Sequence, residues 1–272
     1  MSAGPHTLVR RVICAALLLV GLGVAACDDP AVRLTYRPSV GTRTTYELRV
    51  RTSSVTKLQG EPRQSRDDSF VLRSDQRVRS ARDGDDTQVA VRLTGDGRTA
   101  RNFVVRLDRG GQLATVETVE GVPSATLGNL GISELLPSAA GALPQHALRP
   151  GDRWRISQRL RIGNAPAGRL VGWGRLASLG VSGGTKEAVV DTEVALPVDR
   201  TTAGDAGGTI RLEGAVHTVM HVTQRVTDGV VLSAKARSVG RYKVTLSPPT
   251  IDGGPPVNGT LTVIVSSTTK AR

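Results

Sequence analysis

The sequence predicts a mainly β fold: a curved antiparallel sheet or open β-barrel with one short central helical segment. Three observations predict it. Apolar and polar residues alternate with period two along most of the chain after residue 33, the pattern of strands with one wet and one buried face. Glycine-rich turn signals separate these runs at short intervals. Aromatic residues are scarce, with two Trp, three Tyr and two Phe. The core must therefore come from Val, Leu, Ile and Ala, and the aromatic girdles of an outer-membrane barrel are missing.

Taken along the chain, Tyr46, Leu48 and Val50 alternate with Glu47, Arg49 and Arg51. Val89, Val91 and Leu93 repeat the pattern. It is cleanest from Arg153 to Ile162, where Arg153, Arg155, Ser157, Arg159 and Arg161 share one face and Trp154, Ile156, Leu160 and Ile162 the other. It returns at Ile210 and Leu212, at Tyr242, Val244 and Leu246, and at Leu261, Val263 and Val265. Turns are expected at Asp83-Gly84, Gly95-Asp96-Gly97, Arg109-Gly110-Gly111, Gly183-Gly184, Asp228-Gly229 and Asn258-Gly259, whose residues tolerate positive φ. Roughly ten to twelve strands of about ten residues fit, arranged as a meander.

Between Ser124 and Leu143 the spacing of Leu127, Leu130, Leu135 and Leu136 is helical, although Gly128 and Gly131 weaken it and Pro137 ends or kinks it. A helical crossover over 124–143 is expected there. Leu148-Arg149-Pro150-Gly151-Asp152 then forms a turn that launches the Trp154 strand.

The first residues read differently. Met1 to Arg11 is short and carries Arg10 and Arg11; Val12 to Ala26 is apolar; Val24-Ala25-Ala26-Cys27 follows, then Asp28-Asp29. A basic head, a short apolar run and small residues before a cleavage point make a secretory signal. Fifteen apolar residues fall short of the ~20 that a spanning helix needs. With a cysteine directly after the small residues, the segment resembles a bacterial type II signal peptide with its lipobox. The resemblance implies cleavage of residues 1–26, acylation of Cys27, a short tether over 27–32 and a single β domain over 33–272. Anchoring to a bacterial membrane on its extracytoplasmic side would follow, each buried methylene contributing about 0.8 kcal/mol. Cys14 and Cys27 are the only cysteines. The mature chain would keep no thiol, which excludes disulfides, cysteine metal sites and cysteine nucleophiles.

The lipobox, the early Leu34-Thr35-Tyr36 and Tyr46 strands, the central helical segment and the turn Pro150-Gly151-Asp152-Arg153-Trp154 resemble uncharacterised all-β bacterial envelope lipoproteins. These are loosely similar to lipoprotein carriers of the LolA, LolB and LprG types. That resemblance implies a sheet curved around an apolar, lipid-binding interior.

Composition adds a charge. Lys and Arg number 36 against 24 Asp and Glu, a formal net charge of +12. Base composition accounts for an arginine excess of this kind. Attraction to an anionic envelope polymer or head-group surface is the functional alternative, and export argues against nucleic acid. Arg73, Arg77 and Arg79, with Asp75, share one strand face and lead to Arg82. They become a contact surface only if they lie beside the Arg153–Arg161 stripe.

Candidate chemistry is thin. Gly180-Val181-Ser182-Gly183-Gly184 matches the hydrolase elbow G-x-S-x-G, but residues 186–198 read as strand where that motif needs a helix. His217 and His221 read as strand residues, about 13 Å apart and too far to share an ion; His146 lies in a loop. Asp83, Asp85 and Asp86 lack the spacing of a calcium loop. No catalytic residue, metal site or cofactor is expected. The expected function is a non-enzymatic, membrane-anchored lipoprotein binding a lipid or other envelope component, through ligand residues the sequence does not identify. The alternative is an adaptor that contacts a protein partner or anionic polymer through its Arg-rich face.

Overall fold

The computed structural model describes residues 31–81, 86–95, 100–111, 113–119, 122–123, 143–162, 165–203, 207–249 and 254–272. Ala31–Arg272 form one compact unit. The described strands are β1 (Arg43–Leu58), β2 (Gln64–Ser80), β3 (Thr87–Gly95), β4 (Arg101–Leu107), β5 (Leu113–Val119), the stub β6 (Val122–Pro123), β7 (Arg153–Ile162), β8 (Ala165–Ser182), β9 (Thr185–Ala203), β10 (Thr209–Arg225), β11 (Val231–Ser247) and β12 (Val257–Ala271). They build a single antiparallel sheet in the order β6-β5-β4-β3-β2-β1-β12-β11-β10-β9-β8-β7. The first and last long strands pair at its centre, and β6 and β7 are its edges. The sheet is not closed into a barrel.

The sheet is nevertheless rolled. The Tyr36 N–H donates to Arg109 O in the β4–β5 turn (2.6 Å), and the Arg37 N–H donates to Asp228 O in the β10–β11 turn (2.8 Å). In a flat sheet those turns would stand six strand spacings apart, about 29 Å. Two consecutive residues reach both, so the two wings curl toward each other over the inner face.

The core lies at the end where that happens. Tyr46 and Leu48 of β1, Leu72 of β2, Trp154 and Ile156 of β7, Leu176 of β8, Val190 and Val194 of β9, Val222 of β10 and Val231 of β11 form one buried cluster. Two residues from outside the strands, Leu34 and Leu148, complete it. They come from segments joined by a reciprocal backbone pair, Val32 N–H to Leu148 O and Leu148 N–H to Val32 O, both 2.8 Å. Val89, Val91, Phe103, Val105 and Leu107 make a second cluster, against which Tyr36 packs. Each fully buried Leu or Val contributes roughly 1.5–3 kcal/mol. This sealed end therefore holds most of the packing energy.

The structure corrects several sequence expectations. Strands β8 to β12 run for 15 to 19 residues, well beyond the expected ten. Asn258-Gly259 is not a turn: both lie within β12, opposite Thr245 and Val244. A Cβ on Gly259 would fall 2.4 Å from Lys57 O, so this glycine permits close strand approach and not a reversal. Pro197 does not interrupt β9, because the ladder between β8 and β9 stops at Ala195 and the missing N–H removes no bond on that side. Leu34-Thr35-Tyr36 is not a strand; it crosses the sealed end and bonds to turns. No helix occurs among the described residues, and the helical crossover expected over 124–143 lies outside them except for Leu143, which packs on the core.

Burial at the sealed end raises the pKa of both Tyr36 and Tyr46 above the ordinary phenol value, with Asp228 adding to the effect at Tyr36 and Tyr36 adding to it at Tyr46. A raised folded-state pKa contributes stability that is whole below about pH 10 and is lost as pH rises through the folded value. Both phenols should then ionise only as the sheet unfolds. An alkaline titration followed by tyrosinate absorbance and circular dichroism checks this. Ionisation of all three tyrosines with the β signal intact would contradict it.

Candidate functional site

The residues singled out in the sequence do not converge. Ser182 is exposed and pairs with Thr185 across the two-residue Gly183-Gly184 hairpin turn, with φ of +55° and +78° at the glycines. The strand β9 follows directly, where a nucleophile elbow requires a helix. His217 and His221 are exposed on the outer face of β10, and His221 Nδ1 lies 2.6 Å from Asp191 Oδ1. His146 is exposed before Leu148. Among the described residues no group of three or more metal-ligating side chains occurs. Asp83, Asp85 and Arg82 lie outside the described residues, as does Cys27; Asp86 is half-buried ahead of β3. No helix among the described residues is long and apolar enough to cross a membrane.

The two arginine stripes remain separate. Arg73, Arg77 and Arg79 are exposed on the outer face of β2. Arg153 and Arg155 are exposed on β7, with Arg153 stacked 4.5 Å over the Trp173 ring. Between β2 and β7 the sheet order places β1, β12, β11, β10, β9 and β8. The β2 stripe is also partly neutralised. Asp75 accepts from Thr45 Oγ1 (2.6 Å) and Arg73 Nε (3.2 Å), and these contacts, the Thr45 hydrogen bond first, hold its carboxyl below the usual range. Similar exposed pairs are Arg106–Glu117 and Arg211–Asp199 on the outer face and Arg66–Asp68 on the inner face. Such exposed pairs contribute about 0–1 kcal/mol each, so they shape the surface charge more than the stability.

The inner face divides into two regions. At the sealed end it is buried. Toward the opposite end its apolar residues are only half-buried: Leu196 and Val198 on β9, Leu212 and Val216 on β10, and Leu261, Val263 and Val265 on β12. The register aligns them in rows, Val216 opposite Leu196 and Tyr242 opposite Leu261. Gly214 and Gly240 lie on the same inner face, and the Tyr242 ring folds over Gly240, whose Cβ would meet its Cε2 at 2.7 Å. The result is a surface of apolar, small and hydroxyl side chains open on one side, with Arg200 opposite Leu212 and the Arg66–Asp68 pair opposite Ser54 and Thr52 at its margins.

Two buried polar side chains stand out deeper in. Thr192 Oγ1 and both polar atoms of the Gln224 carboxamide are buried without a hydrogen-bond partner. Each such group costs about 1–3 kcal/mol of stability. The sequence carries no sign of this, since only the register brings Thr192 and Gln224 to the inner face.

One outer-face feature escaped the reading of the sequence. On β11, Lys235, Arg237, Arg241 and Lys243 are all exposed and occupy alternate positions on one face, with Val239 between them. Their spacing by two was legible. Their surroundings were not, because these depend on the pairing of β1 with β12. Compared with known proteins, the sequence matches no family model and no curated protein.

Proposed function

We propose that the chain is a membrane-anchored envelope lipoprotein, tethered through acylated Cys27, that binds a lipid on the inner face of its open sheet. One observation carries this reading: the inner face is sealed and packed at one end, yet keeps aligned, half-buried apolar rows at the other. Apolar surface held in a concave site is the ordinary signature of an apolar ligand. The separate exposed valines Val71, Val171 and Val219 lie on the outer face and form no such surface. The lipobox supports the address, and the hairpin setting of Ser182 supports binding over hydrolysis.

The test uses protein purified from a bacterial membrane. Lipid mass spectrometry is expected to find co-purifying acyl lipid, and a fluorescent fatty acid is expected to bind. Val216→Lys and Leu261→Lys place a charge on the apolar rows and should each weaken the fatty acid roughly tenfold, given the cost of desolvating an unpaired ammonium. Unchanged affinity in both would overturn the inner-face reading. Labelling with a palmitate analogue tests the anchor: equal labelling of wild type and Cys27→Ala would remove it.

A further inference from the structure

The outer face at the centre of the sheet carries a cationic surface whose reading is independent of the inner-face proposal. The register there lines up three strands. Arg49, Thr268 and Lys235 form one row, Arg51, Ser266 and Arg237 the next, then Ser53, Ile264 and Val239, then Val55, Thr262 and Arg241, and finally Lys57, Thr260 and Lys243. A ladder of hydroxyls on β12 is thus flanked by cations from β1 on one side and β11 on the other. The cationic stripes stand two strand spacings apart, about 10 Å, and run for about 27 Å.

Charge along this valley is only sparsely compensated. Neither β11 nor β12 contains a carboxylate. The carboxylates at its margins are Glu47, engaged by Arg49 and Arg272, Asp67 on β2 opposite Ser53, and Glu213 opposite Lys243, with Glu213 lying 3.9 Å from Arg211. Among the described residues no ion pair engages Arg51, Lys57, Lys235, Arg237, Arg241 or Lys243. Depressions of about 720 Å³ and 460 Å³ lie on the same surface, the first bordered by Arg49, Lys235 and Thr268 and the second by Arg49, Arg51 and Ser266.

We infer that this valley binds a linear polyanion, an extended phosphate-bearing polymer lying along β12. Within each cluster, as at Arg49 and Arg51, Lys235 and Arg237, and Arg241 and Lys243, cations are spaced about 6.8 Å apart, with a gap at the Ser53, Ile264 and Val239 row. This spacing suits charges strung along one extended chain. Guanidinium groups donate two hydrogen bonds to a phosphate, and hydroxyls between them satisfy its remaining oxygens. A planar membrane fits less well: the outer face of a rolled sheet is convex across its strands, so a plane meets it only along a line. A single chain follows that line.

The experiment titrates the full chain with fluorescent inorganic polyphosphate at several salt concentrations. The variant Lys235→Gln/Arg237→Gln/Arg241→Gln/Lys243→Gln is compared with a control of equal charge loss, Arg63→Gln/Arg77→Gln/Arg155→Gln/Arg175→Gln. Arg237→Gln/Arg241→Gln serves if the fourfold variant fails to give a native β spectrum. The stripe variant is expected to bind roughly tenfold or more weakly. Its plot of log affinity against log salt should be shallower by about 3, from ~0.7 per lost contact. The control should bind nearly as wild type. Equal losses in the two variants, which indicate net charge alone, would overturn the inference. So would tighter binding to phosphatidylglycerol vesicles than to polyphosphate. Fatty-acid affinity should not change in the stripe variant, which keeps this result separate from the fate of the inner-face reading.

Discussion

Gly229→Ala should destabilise the protein by about 2–5 kcal/mol and detach residues 34–37 from the sheet. Gly229 sits in the β10–β11 turn with φ of +71°, where an L side chain costs about 1–2 kcal/mol. Its neighbour adds the larger part. An alanine Cβ would lie 2.4 Å from Thr35 O, 2.7 Å from Thr35 C and 2.8 Å from Tyr36 Cα. Those are backbone atoms, so no rotamer change relieves the collision, and the crossing segment must move. Moving it breaks the Arg37 bond to Asp228 O and withdraws Leu34 from the core. Gly41→Ala is the control, with φ of +86° and nothing within 4 Å of a built Cβ. It should pay the backbone cost alone. Thermal unfolding and amide exchange at Val32, Tyr36 and Arg37 provide the readout. Equal loss of stability in the two variants would show that the contact with Thr35 does not matter.

A comparable effect is expected farther out on the same wing, from Gly174→Val. Gly174 lies directly across from Trp154 on the inner face of β7 and β8. A Cβ there would meet Trp154 Cε2 and Cζ2 at 2.3 Å, so the indole ring occupies the space that glycine leaves. Trp154 is 7% exposed and packs in the main cluster. Valine must eject it, at a cost near that of deleting the ring, about 3–5 kcal/mol. Red-shifted tryptophan fluorescence should accompany the loss. Trp154→Leu in the same chain should restore part of the stability, because the two sites couple. Gly180→Val on the same strand meets nothing within 4 Å and should change stability by less than about 1 kcal/mol. If Gly174→Val behaves like Gly180→Val, the ring is not seated over Gly174.

Much of the sheet was legible because alternation acts locally. Trp154 and Ile156 are buried and Arg153 and Arg155 exposed, as their period-two spacing requires. The turns at Gly183-Gly184, Arg109-Gly110-Gly111 and Asp228-Gly229 occur where positive-φ residues cluster. Asn258-Gly259 misled because a glycine in a curled strand and a glycine in a turn look alike in one dimension; only Lys57 O, supplied by a strand some 200 residues earlier, distinguishes them. The candidate surfaces were less legible. Leu196, Leu212 and Leu261 read as ordinary strand residues, and their half-burial results from how far the wings curl along the strands.

By itself the sequence determined a mainly β chain of alternating strands and the wet face of strands such as those at Tyr46 and Trp154. These follow from side-chain periodicity and composition, which need no partner strand. The tertiary structure decided the pairing of β1 with β12, the sealing of one end by Leu34 and Leu148, and the alignment of Arg51 and Arg237 across Ser266. Those depend on register between residues far apart in the chain. A binding surface is made of neighbours in space, and in a sheet only the register determines which residues are neighbours.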